Sequence, residues 1–145
     1  MNSLKLLIIV LSSTLLFSST ETPILQLTVT GLKDTKGQIM IGVYDNAADF
    51  PDHDKTVKRF LFRLSDKELS QVVLKINGLS IDKRYALAVY HDKNANNKLD
   101  KNIFGAPTEM YGFSNNARAT FGPPSFDDAS IVLSGSLTKH EIHLK

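Results

Sequence analysis

Apolar and polar side chains alternate along much of this chain, and a period of two predicts strands. Leu25, Leu27 and Val29 form one apolar face, with Ile24, Gln26, Thr28 and Thr30 between them. Gly31 ends that run, and Lys33 to Gly37 is a polar turn. Gln38 to Tyr44 is a second strand, with Ile39, Ile41 and Val43 on one face and Met40 and Gly42 on the other. The short turn between the two predicts an antiparallel hairpin.

Asp45 to Thr56 reads as a long polar surface loop. Val57 to Leu64 is a short strand, Ser65 to Glu68 caps a helical turn, and Leu69 to Ile76 is a main strand with Val72, Leu74 and Ile76 on one face. Asn77-Gly78 marks the next turn. Arg84 to Asp92 is apolar on both faces: Tyr85, Leu87 and Val89 on one, Ala86, Ala88 and Tyr90 on the other. That pattern predicts a central strand, with alanines where something packs closely. Ala129 to Leu133 and Ser136 to Leu144 are the last strands. The expected fold is all-β: an antiparallel β-sandwich of about seven strands, immunoglobulin-like or transthyretin-like, with one long loop between central strands.

Ahead of these strands, residues 1–20 have the layout of an export signal. Lys5 supplies the positive end, Leu6 to Phe17 is apolar except for Ser12, Ser13 and Thr14, and small residues follow at Ser18 to Thr20. The run falls short of the ~20 apolar residues of a membrane span. Cleavage after Ser18 or Thr20 would leave one β-sandwich domain over 21–145 with no stable span. The chain has 145 residues, a one-domain length. Of its 17 bases one lies in the leader, which leaves 16 against 15 acids. Such a balance carries no footprint for nucleic acid. The absence of cysteine removes disulfides, thiolate chemistry and a lipoprotein anchor. A bacterial periplasmic or secreted location fits these features.

The chemistry concentrates in His91 to Ser114. Counting from Asp92, side-chain oxygens fall at positions one, three, five and nine: Asp92, Asn94, Asn96 and Asp100. Lys98, at position seven, offers a backbone carbonyl. Calcium takes six to eight oxygens, and an alternating loop of this kind can wrap it. Two positions differ from an EF-hand: Asn97 stands at the glycine turn, and Ile103 stands where a carboxylate closes the site. A distant carboxylate such as Glu109 would have to substitute there, or water would fill the gap. The competing reading is structural, with the Asx side chains holding a long loop through bonds to its own backbone.

Other constellations are weaker. His91 shares a strand face with Leu87 and Val89, so it reads as a structural histidine at the end of a core strand. His140 and His143 point to opposite faces. Ser114 lacks a nucleophile elbow. Phe104, Tyr111, Phe113, Phe121 and Phe126 form an aromatic run among glycines and prolines. Its rings either close one end of the sandwich or line a ligand or partner groove, with Glu109 and Asn115 beside them.

Four stretches together resemble the DUF2141 family of exported bacterial proteins: GQIMIGVY (Gly37 to Tyr44), YALAVYHDKNANNKLD (Tyr85 to Asp100), FGAPTEMYGFSNN (Phe104 to Asn116) and PSFDDA (Pro124 to Ala129). The family pattern has glycine where this chain has Asn97. The resemblance implies a periplasmic or secreted β-sandwich and assigns no catalytic residue. The leading expectation is a non-enzymatic module that binds an envelope partner or small ligand through its aromatic loop, with that loop ordered by a divalent cation such as Ca2+. Two alternatives stand beside it. One is a hydrolase of envelope carbohydrate or peptide that gathers His91, Glu109 and Ser114. The other is a purely structural envelope accessory protein.

Overall fold

The computed structural model describes residues 22–65 and 71–145. The leader and, apart from Ser65, the turn expected over Ser65 to Glu68 lie outside the described residues. Eight strands follow one another among the described residues: β1 (Ile24–Thr30), β2 (Gln38–Tyr44), β3 (Lys58–Arg63), β4 (Gln71–Asn77), β5 (Arg84–Asp92), β6 (Tyr111–Phe113), β7 (Ser130–Val132) and β8 (Leu137–His143). An α-helical turn, α1, is Phe126–Ala129, capped by the Ser125 side chain on the Asp128 amide. No helix among the described residues is long and apolar enough to cross a membrane.

The strands form two sheets, and the fold is the expected all-β sandwich. One sheet runs β4-β1-β8 and the other β3-β2-β5-β6, with β7 also paired to β5. β6 and β7 share one edge of β5: Ala88 to Tyr90 pair with β6, and Arg84 to Ala86 pair with β7. The three-residue β6 was not foreseen, since so short a strand has almost no period of its own.

The expected hairpin of β1 and β2 does not form. β1 pairs antiparallel with β4 and parallel with β8, whereas β2 pairs with β3 and β5. Residues 31–37 therefore cross from one sheet to the other. Both strands have an apolar face, and those faces are buried against each other across the sandwich. Leu25, Leu27 and Val29 are fully buried in one cluster with Ile39, Ile41 and Val43. Val72, Leu74 and Ile76 from β4 and Tyr85, Leu87 and Val89 from β5 complete its centre.

A second cluster lies on the other face of the larger sheet. Tyr44, Ala86, Phe113, Phe126 and Ala129 are buried there, with Phe50 packed against them. The Phe50 ring stands edge-on to Tyr44, Phe113 and Phe126 at centroid distances of 5.2, 5.6 and 6.0 Å. β5 is thus covered on both faces, as its sequence requires.

Gly37 ends the crossing at φ +75°, and a Cβ there would collide with the backbone carbonyls of Asp92 and Lys93. The crossing loop and the loop after β5 meet at this point. Lys93 also pairs with Asp34 at 2.5 Å, and its hydrogen bond holds the Asp34 carboxyl below the usual carboxylate range. Gly37→Ala is expected to lower stability by about 2 kcal/mol or more, from positive φ plus the collision. Urea unfolding checks this, and an unchanged midpoint would mean that the approach is not tight.

Candidate functional site

Asp92 ends β5 with no exposed surface, and a buried carboxylate needs donors. Gln38 Nε2 donates to one oxygen at 2.7 Å. The same oxygen accepts from the Asn97 amide at 2.7 Å, and the other accepts from the Asn96 amide at 3.0 Å. To aim those amides inward, the chain takes positive φ at Ala95 (57°) and Asn97 (63°). Asparagine tolerates that region better than most residues. Gln38 Nε2 also donates to Asn97 Oδ1 at 2.8 Å.

The Asx pattern repeats down the loop. Asn94 Oδ1 accepts from the Asn96 amide and Asn96 Oδ1 from the Lys98 amide, at 3.1 and 2.8 Å. The amide groups of Asn94 and Asn96 donate to the two oxygens of Asp100 at 2.6 and 3.0 Å. Glu109 reaches back across the loop, accepting from the Lys93 amide at 2.9 Å and the Asp100 amide at 3.1 Å. Among the described residues, no three His, Cys, Asp or Glu side chains are grouped to hold a metal ion. Any cation in this loop would therefore depend on amide and carbonyl oxygens beside its carboxylates.

Next to this loop a cleft of about 460 Å³ opens on the outer face of the larger sheet. Its floor follows from the register. Gly42 pairs with Ala88, and Ala88 pairs with Phe113, so two small residues lie side by side in the sheet. Tyr90, paired with Tyr111, flanks this row on one side, and Tyr44, paired with Ala86, on the other. The 45–56 loop contributes Pro51 and His53, the loop after Asp100 contributes Phe104 and Pro107, and Pro123 forms a further wall. Tyr90 Oη and His53 Nε2 are 3.0 Å apart. Burial pushes the Tyr44 and Tyr90 hydroxyls up to about 12, so both keep their protons.

The aromatic run is divided between two roles. Phe113 and Phe126 are buried in the second cluster. Phe104 and Phe121, by contrast, are 87% and 91% exposed and do not close the core. Of the predicted surface residues, Phe104, Tyr111 and Phe113 line the cleft, while Glu109 and Asn115 do not. Asn115, at φ 58°, donates its side-chain amide to the Asp128 and Ser130 carbonyls at 3.0 and 2.8 Å. Sequence reasoning missed Tyr44, Tyr90 and His53. The available signal was a pair of small residues, Gly42 and Ala88, in neighbouring apolar strands.

His91, Glu109 and Ser114 are engaged in separate places. His91 Nε2 lies 2.6 Å from the Lys36 carbonyl, and Glu109 holds loop amides. Ser114 Oγ accepts from the Leu87 amide at 2.8 Å and donates to the Ala129 carbonyl. The serine is fully buried and joins β5 to the chain before β7.

This architecture defines a class: a β-sandwich module with an aromatic cleft on one sheet face and an Asx-rich loop forming part of its surroundings. The chain belongs to the family described as an uncharacterized protein conserved in bacteria, DUF2141, whose model matches residues 27–141. No curated protein and no solved structure matches it.

Ser114→Ala is expected to cost about 2 to 4 kcal/mol, because it leaves a buried N–H and a buried C=O unpaired. Denaturant unfolding measures this, and a loss under about 0.5 kcal/mol would show that the bonds are replaceable. His140 provides a pH test. Its Nε2 accepts the Asn115 amide at 2.9 Å, and burial lowers its pKa from 6.5. Below pH 6.5 the unfolded chain takes up that proton first, so this contribution is complete above the window and is lost as pH falls. The melting temperature of His140→Gln, whose amide oxygen can accept the same bond, should fall less between pH 7 and 5 than that of the parent. Parallel curves would exclude this role.

Proposed function

We propose that this is an exported, non-enzymatic β-sandwich module of the bacterial periplasm or exterior that binds a ligand or partner in the cleft over Gly42 and Ala88. The observation that carries this reading is the cleft itself, whose volume of about 460 Å³ lies within the range of small-molecule sites. Its walls come from three loops on a rigid sheet, the usual placement of binding residues. Export is supported by the signal-like layout of residues 1–20.

Calcium is the second component of the proposal. It would sit among Asp92, Asn94, Asn96, Asp100 and the Lys98 carbonyl, and it would order the loop that leads to the Phe104 wall. Asx turns at positions three and five support this, as does the hold of position one, Asp92, on the Asn96 and Asn97 amides. So does Glu109, which reaches the loop from outside where Ile103 cannot ligate. The ion would displace the Asn94 and Asn96 amide groups from Asp100.

Melting the protein in EGTA and again in 1 mM calcium tests the cation. With a dissociation constant near ~0.1 mM, in the range of extracellular modules, calcium adds about 1.4 kcal/mol. That corresponds to roughly 5 °C in melting temperature for a domain of this size. Asp100→Ala should remove the increment. Equal midpoints with and without calcium, together with no heat of binding in calorimetry, would sink this component and leave the cleft to be judged separately.

A further inference from the structure

The composition of the cleft lining restricts what it can hold. Among the described residues its polar side chains are Tyr44, His53, Tyr90, Lys101 and Tyr111. Every one of these can donate a hydrogen bond, and lysine can only donate. The lining contains no Asp, Glu, Asn, Gln, Ser or Thr. A polyhydroxylated sugar is usually held by carboxylates and side-chain amides, and this lining has neither; its side-chain acceptors are three tyrosine hydroxyls and one histidine nitrogen. A simple cation would meet Lys101 with no carboxylate to offset it. Lys101 is exposed and has no ion-pair partner among the described residues. The nearby acids are all outside the lining: Asp52 and Asp54 pair with Lys55 and His53, and Asp92 and Glu109, whose charges reach Tyr90, are held by loop amides.

The remaining surface is flat and apolar. Tyr90 and Tyr111 stand side by side in register, and Phe104 rises on the rim with 87% of its surface exposed. Pro107 and Pro123 add rigid faces. An exposed phenylalanine ring beside a cleft marks a place where something apolar binds.

Building on the cleft reading above, we propose that the ligand is a small, flat, largely apolar molecule bearing one anionic oxygen group, such as an aromatic carboxylate. Its planar body lies beside Ala88 and against the half-buried Tyr111 ring. Its anionic group meets Lys101 and the Tyr90–His53 pair. The Phe104 ring covers its outer face and becomes buried on binding.

Titration with three probes of one shape tests this: 2-naphthoate, 2-naphthalenemethanol and a naphthylmethyl trimethylammonium salt. Probe fluorescence follows affinity, and amide chemical shifts locate it. The chain has no tryptophan to interfere. Naphthoate should bind about tenfold or more tighter than either other probe, as expected of a charge-assisted contact. Shifts should concentrate at Ala88, Tyr90 and Tyr111. Lys101→Met should bring naphthoate down to the level of the neutral alcohol, and Phe104→Ala should weaken all three probes. Both changes are at exposed positions, so folding is retained and is checked by circular dichroism.

Equal binding of the alcohol, or a preference for naphthoate that Lys101→Met leaves unchanged, would overturn the anionic class and leave the cleft reading intact. Preferred binding of the ammonium probe would overturn it in favour of an aromatic cation cage. Failure of all three probes at ~1 mM, with no shift at the cleft, would remove both the class and the cleft reading.

Discussion

β5 has no face that water can cover, and the arrangement of the molecule follows from that constraint. Its Tyr85, Leu87 and Val89 face is buried by the opposing sheet, whose β1 contributes Leu25, Leu27 and Val29. Its Ala86 and Ala88 face needs a second cover. Long loops provide it: Phe50 and Pro51 from the β2–β3 connection, the chain after Asp100, and the segment through Pro123 and Phe126. At Gly42 this cover is tight, with Thr56 and the Tyr44 ring where a Cβ would stand, whereas beside the half-buried Ala88 it does not fill the sheet surface. The unfilled part is the cleft.

The end of β5 imposes a second requirement. Asp92 is buried as an acceptor, and its oxygens are satisfied by Gln38 and by two amides of the following loop. Meeting that need bends the loop through two residues of positive φ. It also determines where Asp100, and therefore Leu99 to Pro107, must leave. The hydrogen bonds of Asp92 start the loop that becomes a wall of the cleft, and Asp100 accepts from the loop's Asn94 and Asn96 side chains. Glu109 ties both ends of the loop together by holding the amides of Lys93 and Asp100. Any cation that entered the loop would act on the cleft through these same groups.

Much of the framework was legible from residue patterns. The alternation in β1, β2, β4 and β5 identified the apolar faces correctly, and Gln71–Asn77 is buried at Val72, Leu74 and Ile76 as its period requires. The Asx spacing after His91 identified a loop whose oxygens serve its own backbone. The family resemblance matched the family found over residues 27–141. Three things were not legible. β6 is too short to show a period. Tyr44, Tyr90 and His53 resemble ordinary strand and loop residues until the sheet brings them together. Phe104 and Phe121 resemble core residues, yet they are exposed, because the core they would join is already occupied by Phe50, Phe113 and Phe126.

The division has a physical reason. A period of two says which side of a strand avoids water, because side chains alternate across the pleat. It does not say which surface will cover that side. β1 and β2, joined by a short turn, could bury their apolar faces side by side in one sheet or face to face across a sandwich. Local chemistry permits both. The choice rests on strands far along the chain, β4 and β8 for β1, β3 and β5 for β2. Amino-acid pattern alone was therefore enough for strands, a doubly covered β5 and an Asx loop. The cleft exists only in the folded molecule, where Gly42 and Ala88 from separate strands come into register and distant loops close around them.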